Sequence, residues 1–285
     1  MADHEQNSEH SLKYWLEYGE KLLAESGIRE PELDARILLE YAANINRSYY
    51  YLHMHDFMEV SDVELYRYLL MRRAEREPLQ YLTEEAPFYG EVFYVNPHVL
   101  IPRQDTEVLV EEAEKRIRTG MVILDLCTGS GCVLLSLARR NSITAIGSDV
   151  STAALAVAEQ NRKRLGVRAS WIESNLFERI GGTFDMIISN PPYIAASEIP
   201  KLEPEVRDHE PYAALEGGFD GLRIVRTIIE EAGAYLRPSG WLLLEIGYDQ
   251  GEKVRELLTE NEYDNVSIVP DLEGRDRVAI GKRRI

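Results

Sequence analysis

The 285-residue chain lacks several features, and each lack excludes a class of protein. No apolar run approaches the ~20 residues that a membrane-spanning helix requires. The opening stretch MADHEQNSEH has neither the basic flank nor the apolar segment of a secretory signal. We therefore expect a cytoplasmic protein that does not enter the membrane. Only two cysteines occur, Cys127 and Cys132, and neither has metal-ligand spacing to histidines, so we expect neither a disulfide nor a metal site.

Basic residues are also scarce. The chain has 32 Lys and Arg against 49 Asp and Glu, which gives a formal net charge of −17. Charge of this sign repels a polyphosphate backbone unless the basic residues are concentrated on one face. Nucleic acid is therefore disfavoured as a partner, and a protein or a small molecule is favoured.

The first part of the chain predicts a small bundle of helices. Apolar residues recur at helical spacing across residues 12–27, and Pro31 then opens a second helix. A third helix is predicted from Ser61, which has capping-box spacing to Glu64, until Pro78 ends it.

The remainder predicts an α/β domain. Short apolar runs alternate with helical patterns, and they lie at 121–126, 144–148, 184–189 and 241–246. Such alternation predicts a parallel sheet covered by helices on both faces. The last two strand candidates, 265–269 and 276–281, leave no room for a helix between them and predict an antiparallel hairpin.

Three domains follow from these patterns. Residues 1–84 are expected to form the helical domain and residues 105–285 the α/β domain. Between them, aromatic and β-branched residues around Gly90 predict a β-hairpin linker over residues 85–104.

Residues 122–131, VILDLCTGSG, predict a cofactor site. An apolar strand runs into Gly129 and Gly131 before a helix, where backbone N–H groups can face a ligand. Eighteen residues after Gly131, Asp149 ends the next predicted strand and can accept hydrogen bonds from both hydroxyls of a ribose. The full GxGxxG of dinucleotide folds is missing, which favours S-adenosylmethionine over NAD. The simpler alternative is a tight turn, with Asp149 capping the next helix.

A second motif, Asn190-Pro191-Pro192-Tyr193, ends a predicted strand abruptly. Prolines cannot donate ladder hydrogen bonds, so the local carbonyls can accept bonds from a ligand. The Asn190 side-chain oxygen and the Pro191 carbonyl would hold the two N–H groups of a planar amide, and Tyr193 would pack on it. No strong general base is needed, because a sulfonium methyl donor is already reactive. The alternative is a strand-ending turn in which Asn190 bonds the local backbone.

The two motifs in this order resemble those of class I methyltransferases that act on planar nitrogens. The chain more closely resembles the HemK/PrmC family of protein-(glutamine-N5) methyltransferases acting on peptide chain release factors. Three further segments carry this resemblance over nearly the whole chain, and they are REPLQYL at 76–82, VLIPRQDTE at 99–107 and EVRDHEPYAALEGGFDGL at 205–222.

The resemblance implies a fold and a reaction. The fold would be a Rossmann-like sheet of seven strands with an antiparallel final hairpin, joined to an N-terminal helical bundle that binds the release factor. The reaction would methylate the glutamine of the Gly-Gly-Gln loop of a class 1 release factor, with S-adenosylmethionine as the cofactor and a monomeric enzyme. A ribosomal protein acceptor, an adenine-amino DNA methyltransferase and a nucleoside-binding module without turnover are the alternatives.

The resemblance also assigns residues. Those of the cofactor site would be Cys127, Thr128, Gly129, Ser130, Gly131, Asp149, Leu176 and Asn190. Those of the catalytic clamp would be Asn190, Pro191, Pro192 and Tyr193, with Arg103 and Glu107 lining the substrate side. Cys127 departs from the family pattern, which commonly has glycine at this position.

Overall fold

The computed structural model describes residues 10–284. Its helices are α1 Leu12–Glu25, α2 Pro31–Ala42, α3 Arg47–His53, α4 Val60–Ala74, α5 Leu79–Thr83, α6 Glu107–Glu114, α7 Cys132–Arg140, α8 Thr152–Leu165, α9 Pro204–His209, α10 Arg223–Tyr235 and α11 Gly251–Glu260. Its strands are β1 Glu85–Phe88, β2 Glu91–Tyr94, β3 Val122–Leu126, β4 Thr144–Asp149, β5 Ser170–Glu173, β6 Phe184–Ser189, β7 Leu236–Glu245, β8 Tyr263–Pro270 and β9 Asp276–Arg283.

These elements form two compact units. The first contains α1 to α5 together with α9, which comes from much later in the chain, and the second contains the rest. None of the helices within residues 10–284 has the length and apolarity needed to cross a membrane.

The helical unit is built on an apolar core and one buried ion network. Its fully buried side chains include Tyr66, whose hydroxyl donates to the Ala35 carbonyl at 3.1 Å. The buried Arg73 guanidinium donates to Asp34 at 2.7 Å and to Glu205 of α9 at 3.0 Å. Because a buried charge needs a partner, this network fixes α9 to the helices of the unit.

The start of α4 differs from the prediction. The helix begins at Val60, and Ser61 lies inside its first turn, so the capping box between Ser61 and Glu64 is wrong. The helix also ends earlier, at Ala74, while Pro78 serves as the N-cap residue of α5. The first two helices match the prediction, with Pro31 in the first turn of α2.

The second unit contains the predicted mixed sheet of seven strands, in the order β5-β4-β3-β6-β7-β9-β8. The first five are parallel, and β9 runs antiparallel to both β7 and β8, which confirms the final hairpin. Strand β5 was not located from the sequence, since only Trp171 and Ile172 are apolar in its four residues. The hairpin β1–β2 forms a separate antiparallel pair.

Side chains of the central strands alternate between two cores. Ile123 and Ile188 lie in the core covered by α6 and α7, whereas Leu124 and Ile187 lie in the core covered by α10 and α11. The sheet is therefore covered on both faces, as continuous apolar strands predict.

The order of the strands positions the site. From β3 the chain moves outward to β4 and β5, then returns to the other side of β3 as β6. Open α/β sheets bind ligands beyond the carboxyl ends of the strands where the order reverses in this way. The loop that contains Gly129 and Gly131 follows β3, Asp149 ends β4, and Asn190 follows β6. The topology therefore brings this loop and these two residues together at one edge of the sheet.

Candidate active site

A cavity of about 240 Å³ lies at this edge of the sheet. Segments that follow β3, β4, β5 and β6 line it, together with the segment before α6 and residues of the 211–214 turn. The residues assigned from the sequence that line it are Arg103, Cys127, Thr128, Gly129, Ser130, Asp149, Leu176, Asn190 and Pro192.

The loop after β3 has a tightly constrained backbone. Cys127, Gly129 and Gly131 all have positive φ angles, of 56°, 54° and 77°. Gly131 is the N-cap residue of α7, and a β-carbon there would lie 3.1 Å from the Trp171 ring. Among the described residues Gly131 is not part of the cavity lining, and its positive φ allows the turn that begins α7.

Cys127 occupies a left-handed conformation that favours glycine. Burial raises the pKa of its thiol to about 12, and the charge of Asp149 acts in the same direction. The side chain therefore stays a neutral thiol at the cavity wall, and a reactive thiolate is not available there.

Asp149 joins two neighbouring loops. Its Oδ2 accepts the backbone N–H of Gly129 at 2.9 Å, and its Oδ1 accepts that of Ser151 at 2.9 Å. Ser151 itself is the N-cap residue of α8, so Asp149 is not the helix cap that the simpler reading proposed. Burial raises the pKa of Asp149, while the N–H groups of Ser151 and Gly129 act to lower it.

Asp125 provides a second carboxyl group at the cavity. It is 2% exposed and accepts the Thr128 hydroxyl at 2.6 Å. Burial raises its pKa to about 7, the Thr128 hydrogen bond opposes this, and the charge of Asp149 adds to it. Two carboxyl groups therefore face a cavity whose lining contains one arginine, which suits a ligand that carries positive charge.

The segment after β5 supplies the opposite wall. Leu176 lies in the lining with a φ of 47°. Asn175 also reaches the lining, and its amide donates to Glu178 at 2.7 Å. Phe177 points into the core instead, where it stacks on Tyr235 with ring centroids 4.6 Å apart. Of these residues, Leu176 offers the apolar surface.

The Asn190 side chain is held by a residue distant in sequence. Its Nδ2 donates to Thr106 Oγ1 at 3.2 Å, across 84 residues. The alternative in which Asn190 bonds its local backbone is therefore wrong. Pro192 lines the cavity, whereas Pro191 is buried and, among the described residues, neither it nor Tyr193 is part of the lining.

Tyr193 is fixed from two sides. Its hydroxyl donates to Glu245 Oε1 at 3.1 Å, and its carbonyl accepts the Gln250 side chain at 2.9 Å. Burial raises the pKa of Tyr193 well above its ordinary value, with the charge of Glu245 adding to this. The phenol is therefore a hydrogen-bond donor at any physiological pH.

The two charged residues of the 99–107 segment have different partners. Arg103 lines the cavity and pairs with Glu210, which also accepts the Ile101 N–H at 3.1 Å. Glu107 accepts the backbone N–H of Tyr89 at 2.8 Å in the turn of the hairpin. The expected role on the substrate side therefore fits Arg103. Glu107 contacts the hairpin and lies outside the cavity lining that the described residues form.

The glycines of the 217–221 segment shape the backbone. A β-carbon on Gly217 would lie 2.7 Å from the Pro192 carbonyl, and one on Gly221 would overlap the Tyr193 carbonyl. The Gly217 N–H donates to the Ile194 carbonyl at 2.8 Å. The absence of side chains lets this segment pack directly on the strand end that carries Asn190.

Two residues of the site were not singled out from the sequence. They are Thr106, which lines the cavity, and Glu245, which holds Tyr193. Glu245 is a charged residue at the end of a buried apolar strand, just as Asp149 is, and this pattern could have indicated it. The role of Thr106 depends on a contact that no local pattern encodes.

Comparisons with known proteins now identify the family. Residues 14–83 match the PrmC N-terminal domain, and residues 103–202 match the methyltransferase small domain. A release factor glutamine methyltransferase from Geobacter sulfurreducens is 40% identical over 274 residues, covering 95% of this chain and 96% of that protein. The chain belongs to the release factor glutamine methyltransferase family.

A second relative and a solved structure support this assignment. A release factor glutamine methyltransferase from Cereibacter sphaeroides is 43% identical over 260 residues, which is 90% of this chain and 92% of that protein. Among solved structures, a methyltransferase from Pyrococcus furiosus has a TM-score of 0.55 at 20% identity, covering 70% of this chain and 91% of that one. That likeness shows the class I methyltransferase fold.

The enzyme is an S-adenosylmethionine-dependent methyltransferase, and its cavity fits that cofactor. Asp149 retains lone pairs for ribose hydroxyls after accepting two backbone bonds, because a carboxylate offers about four acceptor sites. A neutral thiol at Cys127 and the nearby carboxyl groups suit the cationic methionine part, and Leu176 suits a flat apolar base.

Proposed function

We propose that this enzyme methylates the side-chain amide nitrogen of the glutamine in the Gly-Gly-Gln motif of class 1 peptide chain release factors. The similarity to release factor glutamine methyltransferases over 95% of the chain carries the proposal. The position of Asn190 in the lining of a cavity suited to the cofactor supports it. A protein substrate agrees with the net charge of −17.

The proposed clamp consists of acceptors. Asn190 Nδ2 is engaged by Thr106, which leaves Oδ1 for one N–H of the glutamine amide. The Pro191 carbonyl would take the second N–H, and Pro192 and Tyr193 would form the wall beside the planar group. Holding both N–H bonds directs the nitrogen lone pair toward the methyl donor. When bound, S-adenosylmethionine supplies a sulfonium-activated methyl group, so the surplus amide proton can leave to water without a strong base.

The cofactor side of the proposal uses the loops after β3, β4 and β5. Asp149 would hold the ribose, and Cys127 through Gly131 would surround the methionine part, with Gly131 acting through the turn that it permits. Leu176 would face the adenine. On the substrate side we assign Arg103, which Glu210 holds at the cavity. Glu107 contacts the hairpin, so we assign it the role of supporting the hairpin and not of contacting the substrate.

The helical unit is proposed as the part that binds the release factor. Helix α3 and the segment after it expose apolar side chains, among them Tyr51 at 57%, Leu52 at 81% and Phe57 at 57%. Exposed apolar residues in such a short stretch are typical of a protein contact. We further propose a cytoplasmic monomer.

Mass spectrometry tests this function directly. Unmodified release factor is incubated with the enzyme and S-adenosylmethionine, beside a release factor whose Gly-Gly-Gln glutamine is changed to alanine. A gain of one methyl group on the first protein and none on the second is the expected result. A gain on neither would overturn the proposal, and ribosomal protein would then be the next acceptor to incubate.

A further inference from the structure

We propose that Gln250 is a positioning residue that holds the proposed clamp in place through the backbone carbonyl of Tyr193. The inference deepens the proposed function and rests on it, because it concerns how the clamp is held against the glutamine amide of the substrate. Gln250 is buried, and both polar atoms of its side chain bond backbone groups, one of which belongs to the clamp.

The side-chain amide of Gln250 bridges two loops. Its Oε1 accepts the backbone N–H of Gly247 at 2.9 Å, and its Nε2 donates to the carbonyl of Tyr193 at 2.9 Å. A backbone N–H can only donate and a backbone carbonyl can only accept, so these two partners allow a single orientation of the amide. The loop after β7 is thereby tied to the segment after β6.

A helix cap is the simpler explanation of a polar residue at this position. Gln250 is the N-cap residue of α11, but its side chain makes no capping bond to the described N–H groups of that helix. The backbone N–H of Gln250 donates to the Gly247 carbonyl at 3.0 Å. Both backbone groups of Gly247 are therefore bonded to Gln250, which holds the side chain from within its own loop.

The 217–221 segment leaves room for this contact at Gly221. A β-carbon there would overlap the Tyr193 carbonyl oxygen and lie 2.8 Å from Gln250 Nε2. Gly221 also has a φ of 72°, which favours glycine. The bond between Gln250 and Tyr193 is therefore made beside a close backbone approach that a side chain would block.

The clamp benefits from such a bond because two of its four residues are prolines. Pro191 and Pro192 have no backbone N–H and cannot be held by donating to a neighbouring strand. Tyr193 follows them, and Glu245 accepts its hydroxyl at 3.1 Å while Gln250 donates to its carbonyl. Without the carbonyl bond the Tyr193 backbone would shift, and a small displacement beside the reacting amide slows a reaction that depends on orientation.

Gln250→Met tests this role, because it keeps an unbranched side chain of similar length and removes both polar atoms. We expect the rate constant of methyl transfer, measured in a single turnover at saturating release factor, to fall roughly 10-fold to 100-fold. The KM for release factor and the Kd for S-adenosylmethionine should stay near their wild-type values. Gln250→Ala, which adds no bulk, should show the same split. A general loss of folded structure would change all three constants together.

Asn261→Leu is the matched control. Asn261 lies at the other end of α11, and its side-chain amide donates to the Leu257 carbonyl at 2.9 Å. The change therefore removes a side-chain amide bond from the same helix at the end opposite to Gln250. We expect N261L to transfer methyl groups at the wild-type rate. An equal loss in N261L and Q250M would overturn the proposal, because it would show a general effect of α11.

The Tyr193 carbonyl can also be observed directly. Tyr193-Ile194 is the single Tyr-Ile pair in the sequence, so enzyme with 13C at tyrosine carbonyls and 15N at isoleucine contains one bonded 13C–15N pair. Loss of its hydrogen bond should move the carbonyl 13C signal upfield in Q250M and Q250A but not in N261L. An unmoved signal in both Gln250 variants, or a moved signal with an undiminished rate constant, would overturn the proposal.

The same signal separates this proposal from the proposed function. Wild-type enzyme that methylates no release factor would overturn the proposed function. The carbonyl signal does not depend on turnover, and it would still decide whether Gln250 holds Tyr193.

Discussion

The carboxylate of Asp149 accepts the backbone N–H of Gly129 at 2.9 Å and thereby joins the end of β4 to the loop after β3. One group thus shapes the loop and faces the cofactor cavity. Asp149→Ala should weaken S-adenosylmethionine binding by about 10-fold to 100-fold, because a charged hydrogen-bonding group contributes ~1.5–3 kcal/mol. Titration calorimetry measures this Kd.

Glu173 offers the matched control for that change. It pairs in register with Asp149 on the neighbouring strand, it is exposed, and it lies outside the cavity lining of the described residues. Glu173→Ala should bind the cofactor as the wild type does. Wild-type affinity for S-adenosylmethionine in both variants would contradict the assignment of Asp149 to the cofactor site.

Asn190→Ala should lower kcat/KM for release factor by about 1–3 kcal/mol, which corresponds to ~5-fold to 150-fold. The variant removes Oδ1, the acceptor that the proposed clamp offers to the glutamine amide. Steady-state methyl transfer measures the effect. Asn261→Ala is the control, because the Asn261 side chain bonds only the carbonyl of Leu257 at the end of α11 among the described residues. Full turnover in N190A would show that the proposed clamp is not used.

The sequence predicts the strand ends of this site well. Asp149 and Asn190 each follow a run of apolar residues, and the topology of a parallel sheet then brings strand ends to one edge. The same logic applies to Glu245 at the end of β7. Apolar runs also located four central strands, but not β5, whose four residues carry too short an apolar run to distinguish it from a loop.

Contacts distant in sequence could not be predicted. Arg103 pairs with Glu210 across 107 residues, and Asn190 bonds Thr106 across 84. Glu205 lies 132 residues from Arg73, yet α9 packs in the helical unit through that bond. A local sequence pattern shows the spacing of hydrophobic residues and the residues that favour turns. It does not show these pairs, because their members meet only when the fold brings distant elements together.

Leu52→Ala should raise KM for release factor by about 10-fold and leave kcat at saturation near the wild-type value. Leu52 is 81% exposed on α3, so its removal costs little folding energy and chiefly deletes a contact with a partner. Methylation rates across a range of release factor concentrations measure both constants. Leu272→Ala, at a leucine in the β8–β9 turn that is more exposed than Leu52, is the control. An equal KM in both variants would contradict the assignment of α3 to the partner surface.

Asp125 should make stability depend on pH. Burial raises its pKa to about 7 in the folded enzyme, against ~3.9 in an unfolded chain. Because the folded state holds this proton more tightly, the free energy of unfolding should fall as pH rises from about 4 to about 7, and this contribution should then level off. Urea unfolding at several pH values measures the slope. Asp125→Asn should flatten the dependence of unfolding free energy on pH. Asp249→Asn is the control, because it changes the net charge by the same amount. Equal slopes in the wild type and D125N would contradict the prediction.

Gly147 tests how closely the sheet packs behind the cofactor loop. A β-carbon there would lie 2.5 Å from the ring of Trp171 and 3.0 Å from Thr128 Oγ1. The ring cannot yield easily, because its Nε1 donates to Glu159 at 3.0 Å. Gly147→Ala should therefore lower the free energy of unfolding by ~1–3 kcal/mol, as overpacking does, and thermal or urea unfolding measures it. Gly181→Ala is the control, because an added β-carbon there meets no atom within 4 Å. Its free energy of unfolding should stay near that of the wild type. Equal stability of G147A and G181A would show that β4 and β5 can separate at no cost.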